Sequence, residues 1–216
     1  MHPTDPSDRS GEEHLRWTEG ARTTVADAAI FTVVESERAS IDGRIGRFVV
    51  VESPDWCNVI APVTDGAEPG FVMARQFRHG SQTLAVEFPG GIVDAGETPE
   101  QAAARELEEE TGYAAGRLVL IGVSNPNPAF MTNRVFTFVA EDLRRVTAQR
   151  LDPNETLDVA IVAQRDVIEL RRPDFHSHAI MLCALAWYQA YLRDGLDWRS
   201  RILAQAQENP NEATSV

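Results

Sequence analysis

The chain has 216 residues, 43% hydrophobic and 25% charged, which suits one globular domain with room for a small appendage. Its apolar runs fall far short of the ~18 residues that a membrane-spanning helix needs. A formal net charge of −13 argues against a nucleic-acid surface, which needs basic patches, but not against an anionic small substrate. A metal ion and a few local arginines can reverse the sign inside one pocket.

Residues 1 to about 20 are polar, carry Pro3, Pro6 and Gly11, and read as a mobile tail. The first six have neither a basic start nor an apolar core, so they are no secretory signal and a cytoplasmic protein is expected. Cys57 and Cys183 are too few for a disulfide framework and read as buried free thiols. Runs 28–35, 46–52 and 56–63 read as three strands of a small antiparallel sheet, an N-terminal β-subdomain over 21–66. So few strands are marginal alone, and this unit is expected to pack on the main domain or on a second subunit.

The main domain is expected over 67–206, with strands at 71–77, 83–88, 117–123, 134–140 and 157–163. A helix starts at Thr98 as N-cap, with Pro99 in its first turn and Gln101 closing a capping box, and Gly112 ends it. Its apolar side is expected at Ala103, Ala104 and Leu107, with Ala102 on the opposite, acidic side. A second helix begins at Asp166 and is cut off by Pro173; the longest covers 176–193, and 207–216 read as a frayed end. Strands mixed with helices give an α/β layered domain.

Chemistry concentrates in residues 90–113. The helix there carries Glu106, Glu109 and Glu110 within an arc of about 100°. Two carboxylates about 5 Å apart repel by roughly 3 kcal/mol at an effective dielectric of about 20. A hard divalent cation offsets that repulsion, because it takes oxygen ligands. Mg2+ or Mn2+ held by these carboxylates reaches substrate phosphate and activates water. Gly90 and Gly91 allow a backbone carbonyl to approach the same ion. Arg105 and Glu97 are expected to pair and hold the glycine turn against the helix, while Glu108 points to solvent.

Residues 91–113 fit the pattern G-x5-E-x7-R-E-U-x-E-E-x-G-U, where U is bulky and apolar. Gly91, Glu97, Arg105, Glu106, Leu107, Glu109, Glu110, Gly112 and Tyr113 take the fixed positions, a chance match on the order of one in a million. This pattern resembles the box of the Nudix hydrolases. The resemblance implies a Nudix fold, a mixed sheet sandwiched between helices, with the antiparallel β-subdomain in front. It implies hydrolysis of a nucleoside diphosphate linked to another group. It also implies Glu106 and Glu110 as metal ligands, Glu109 as ligand or support, the Gly90 carbonyl as a further ligand, and Arg105 beside them.

The flanks narrow the substrate. Stretches 74–79 and 87–91, together with Pro128, resemble the ADP-ribose and nucleoside diphosphate sugar pyrophosphatases. Arg75 and Arg78 have the chemistry for phosphate contact. Glu87 can assist the metal or pair with an arginine, and His79 reads as a turn residue or a ligand. The resemblance places a catalytic carboxylate at Glu155 in the acidic loop 152–158, where Pro153 replaces a second acid carried by some members. Trp56 and Phe130 are candidates for stacking on the base. In related dimers the N-terminal sheet of one subunit lines the nucleotide site of the other, which implies a homodimer. The expected reaction is pyrophosphate cleavage to a nucleoside monophosphate and a sugar phosphate. The alternatives are the same chemistry on nucleoside triphosphates, dinucleoside polyphosphates or coenzyme A, or a module that senses ADP-ribose without cleaving it.

Overall fold

The computed structural model describes residues 11–64, 68–151, 153 and 155–194. The chain forms two compact units, one built on residues up to Ser53 plus Asn127–Thr132, the other on the remainder.

The first unit is a three-stranded antiparallel sheet of β1 (Trp17–Ala28), β2 (Phe31–Ser40) and β3 (Ile45–Glu52), in that order. Residues 17–20, expected in the tail, are the start of β1. The run 28–35 is broken at 29–30, where β1 turns into β2. Trp17 meets Phe48 edge to face at 5.3 Å between centroids. Residues 127–132 join the edge at β3: Val51 N–H donates to the Phe130 carbonyl at 2.7 Å, and Thr132 N–H donates to the Val51 carbonyl at 3.1 Å.

The third expected strand is not part of this sheet. As β4 (Trp56–Val63) it lies inside the six-stranded sheet of the second unit. Cys57, Asn58, Val59, Ile60 and Ala61 are all buried, so both faces of β4 are covered, and a central strand of that kind reads as a near-continuous apolar run. The order is β11 (Leu157–Ala163), β5 (Gly70–Arg78), β4, β9 (Val135–Glu141), β8 (Arg117–Ser124), with β6 (Thr83–Glu87) also paired to β5. The β4–β9 pairing is parallel and the others are antiparallel, so the sheet is mixed. A separate two-stranded ladder joins β7 (Tyr113–Ala114) to β10 (Arg144–Arg145).

Strand alternation sends side chains to two cores. On one face Val59, Ala61 and Val72 pack with Ala103 and Leu107 of α1 (Pro99–Thr111). On the other, Ile60, Phe71 and Met73 pack with Phe175 of α3 (Pro173–His176) and Ala184 and Tyr188 of α4 (Ala179–Asp194). The expected mixed sheet between helices is therefore the observed fold. Pro173 opens α3, where its missing N–H costs nothing, after α2 (Gln164–Ile168) has already ended. The longest helix starts three residues later than expected, at Ala179. Cys57 and Cys183 are free thiols, and burial pushes the Cys57 thiol up to about 12, which leaves it unreactive. Among the described residues no helix is long and apolar enough to cross a membrane. Residues 207–216 lie outside the described part of the chain.

Candidate active site

Local sequence builds the helix that carries the carboxylates. Thr98 Oγ1 accepts the Gln101 N–H at 3.2 Å, and Gln101 Oε1 accepts the Thr98 N–H at 2.8 Å, the reciprocal pair of a capping box. Pro99 follows the cap, and Gly112 ends the helix in the left-handed region at φ 74°, its N–H on the Glu108 carbonyl at 2.8 Å. The buried residues are Ala102, Ala103, Leu107, Glu110 and Thr111, whereas Ala104 is exposed. The helix is thus rotated from the expected apolar side toward Ala102, whose small side chain allows close approach to the sheet. That rotation carries Glu110 under the same cover as Leu107.

Glu110 is only 3% exposed, and its Oε2 accepts the Gly90 N–H at 2.9 Å. Burial pushes its carboxyl up to about 8; the Gly90 hydrogen bond opposes this, and the charges of Glu106 and Glu155 reinforce it. Burial also raises the Glu106 carboxyl, against the pull of Arg105. Glu106 lies flat against Gly91, where a Cβ would overlap its carboxylate. The firmer requirement for glycine is at Gly90, where a Cβ would fall 2.2 Å from the Cys57 carbonyl oxygen of the neighbouring backbone.

Arg105 is the hub of the turn. Its Nε and Nη2 form a fork on Glu97, each bond 3.0 Å, and Nη2 also donates to the Ile92 carbonyl at 3.1 Å. Nη1 reaches Glu106 at 2.8 Å and Glu109 at 3.2 Å. The expected Arg105–Glu97 pair is present, and the same guanidinium bridges two carboxylates of the helix. Glu108 points away from them and pairs with Arg150 at 2.7 Å.

Around this helix the structure sorts the other residues. Glu155 is exposed, and its charge is felt at Glu106, Glu110 and Arg78, so it stands within electrostatic range of the carboxylates. Arg78 also feels Glu110, but its guanidinium is engaged by Glu87, at 2.9 and 3.0 Å from Nε and with Nη2 completing a fork. Of the two roles open to Glu87, it takes arginine pairing.

Arg75 leaves the opposite face of β5, because positions three apart on a strand alternate. It lines a cavity of about 750 Å3 with Thr111, Tyr113, Arg145, Gln149 and Asp158. Trp56 is half-buried at the start of β4, its N–H on the Arg134 carbonyl at 2.8 Å. Phe130, 45% exposed, belongs to the other unit. His79 stacks edge to face with Phe77 at 5.4 Å.

Sequence reasoning missed Gln149 and His178. Gln149 donates to the Glu110 carbonyl at 2.7 Å and so ties the start of the Glu155 loop to the helix. His178 stands 3.1 Å from Glu87. Neither lies in a motif, and only the fold brings them in.

Among the described residues, no group of three or more His, Cys, Asp or Glu side chains stands together in metal-holding geometry. Glu106 and Glu109 meet at Arg105 instead. The donor chemistry nevertheless fits a divalent ion: three hard carboxylate oxygen donors on one helix, one of them buried with a single hydrogen-bond donor.

The sequence pattern of the NUDIX domain matches residues 57–185. The chain belongs to the Nudix family. It is similar to the ADP-ribose pyrophosphatase of Bacillus subtilis (strain 168), 38% identical over 130 residues that cover 60% of this chain and 69% of that protein. It is also similar to the ADP compounds hydrolase NudE of Escherichia coli (strain K12), 27% identical over 157 residues, 71% of this chain and 81% of that one. A crystal structure of an ADP compounds hydrolase shares the fold with a TM-score of 0.72, covering 83% of this chain and 95% of that chain at 24% identity. Within its family the chain is a pyrophosphatase, a hydrolase of phosphoric anhydrides.

Proposed function

We propose that the chain hydrolyses the pyrophosphate bond of ADP-ribose or a related nucleoside diphosphate sugar, giving a nucleoside monophosphate and a sugar phosphate. The observation that carries this reading is the buried Glu110 carboxylate bound to the Gly90 N–H, with Glu106, Glu155 and Arg78 in electrostatic range. The similarity to an ADP-ribose pyrophosphatase over 130 residues supports the choice of substrate class.

Glu106, Glu110, Glu109 and the Gly90 carbonyl are the residues that would hold Mg2+ or Mn2+. Bound there, such an ion supplies charge neutralisation at the phosphates and a lowered pKa for water. Arg78 binds a phosphate oxygen through the edge of its guanidinium not taken by Glu87. Glu155, the exposed carboxylate within electrostatic range of the cluster, accepts the proton of the attacking water. Arg105 holds Glu106 and Glu109 in place and fixes the 91–97 turn through Glu97. Arg75 contacts phosphate only through substrate reaching the other face of β5, so Arg78 is the stronger candidate. Trp56 and Phe130, which belong to different units, are each a candidate for stacking on the base.

The assembly consistent with this reading is a cytoplasmic homodimer joined through the N-terminal sheet, whose Val25, Ile45 and Val49 are exposed. A panel of nucleoside diphosphate sugars, triphosphates and dinucleotides, assayed with Mg2+ and with Mn2+ and read by product identity, tests the proposal. Preferential release of AMP and ribose 5-phosphate from ADP-ribose supports it. Preference for triphosphates, with release of pyrophosphate, overturns it.

A further inference from the structure

We propose that His178 acts, through the buried carboxylate of Glu87, as a positioning residue for the Arg78 guanidinium; this rests on the reading of Arg78 as a phosphate contact. Three elements meet at one point: the end of β5 at Arg78, the end of β6 at Glu87, and the residue before α4, His178.

Glu87 is 1% exposed. Arg78 grips it from one side with Nε and Nη2. His178 approaches from the other, its Nδ1 3.1 Å from Oε1. That nitrogen is buried, off the axis of an aligned hydrogen bond, and has no hydrogen-bond partner among the described residues. Glu87 is the ion-pair partner it approaches among the described residues.

The support is rigid. His178 N–H donates to the Phe175 carbonyl at 3.1 Å, and the His178 carbonyl accepts the Leu182 N–H at 3.2 Å. Met181 Sδ accepts the Phe88 N–H at 3.1 Å, so the start of α4 is fastened to the exit of β6 at two successive residues, Glu87 and Phe88.

A carboxylate this deeply buried is costly to keep ionised and in place unless polar neighbours surround it. Arg78 is 45% exposed, and a phosphate on its outer edge competes with Glu87 for the same charge. His178 keeps Glu87 charged and oriented while that charge is shared. It touches neither substrate nor the reacting atoms in this scheme.

The test is a double-mutant cycle on the full chain with the nucleoside diphosphate sugar that the panel identifies. KM, kcat and thermal midpoint are measured for His178→Ala, His178→Gln, Arg78→Ala and the Arg78→Ala/His178→Ala pair. The expected result is that His178→Ala raises KM roughly two- to tenfold, the scale of one close polar contact to a buried charge, with kcat within about twofold. His178→Gln, which keeps an N–H for Glu87, restores most of the loss. His178→Ala adds nothing further in the Arg78→Ala background. An equal rise in KM in both backgrounds overturns the link, as does a glutamine variant that fails to restore KM while its thermal midpoint stays native. An unchanged KM in Arg78→Ala overturns the phosphate-contact reading itself, an outcome separable from failure of the cycle.

Discussion

Glu87 and Glu110 are the same residue type, almost equally buried at 1% and 3% exposure, and they titrate in opposite directions. Burial is the largest influence on both and pushes both carboxyls up. At Glu87 the contacts from His178 and Arg78 outweigh it and hold the group at about 2. At Glu110 the one backbone N–H from Gly90 does not, the charges of Glu106 and Glu155 add to the burden, and the group rises to about 8. Depth alone decides little; the supply of positive partners decides. One carboxylate is finished as a structural ion pair. The other is built to be completed by a cation.

Substitutions can break that comparison. Glu110→Gln is expected to lower kcat by on the order of 10²–10³, the scale of losing one preorganised electrostatic partner, while far-UV circular dichroism stays native. Near-normal turnover at saturating Mg2+ would remove Glu110 from the reaction. Glu155→Gln is expected to lower kcat by about 10²-fold, with KM changed far less. A change confined to KM makes Glu155 a binding residue instead. Glu87→Gln leaves Arg78 under-compensated and is expected to cost about 2 kcal/mol in urea unfolding. That is less than for a fully buried pair, because Arg78 is 45% exposed. No loss there would show the pair to be dispensable.

Acid and base sharpen the contrast. The unfolded chain binds a proton at either glutamate below about 4.5. Folded Glu87 stays ionised down to about 2, so its contribution is complete above 4.5 and disappears as pH falls from 4.5 toward 2. Folded Glu110 keeps its proton up to about 8, so the metal-free protein loses stability as pH rises from 4.5 to 8, and a divalent ion removes that loss. Stability curves of the two glutamine variants, subtracted from wild type with chelator and with Mg2+, should slope in these opposite senses. Parallel slopes would erase the distinction. The smallest effect is expected at Glu108→Ala, where an exposed pair with Arg150 is lost: within about 0.5 kcal/mol by thermal unfolding.

What could be read from the residues was local. The capping box at Thr98 and Gln101, the glycine stop at 112 and the three acids on one arc all follow from contacts a few positions apart. The opposite faces of Arg75 and Arg78 were also open to counting, since three steps along a strand reverse the side. Strand membership was not. Trp56–Val63 has the same apolar run whether it closes a small sheet or sits at the centre of a large one. The choice is made by β9, joined through an Asp55–Arg134 pair 79 residues apart. His178 carries no local signal, because nothing near it hints that its partner is the strand leading into the glycine turn. The helix phase was off by one alanine, since small residues fit either side and only the sheet surface decides between Ala102 and Ala104.

The parallel pairing of β4 with β9 has a consequence for how the molecule is made. Cys57 and Val59 donate to the carbonyls of Gly91 and Pro89, so the glycine turn hangs on β4, and β4 gains its second ladder only when β9 arrives. A chain emerging from the ribosome carries the whole box well before the strand that steadies it. Contacts so distant in sequence form slowly, so the turn that holds the carboxylates is among the later parts to set.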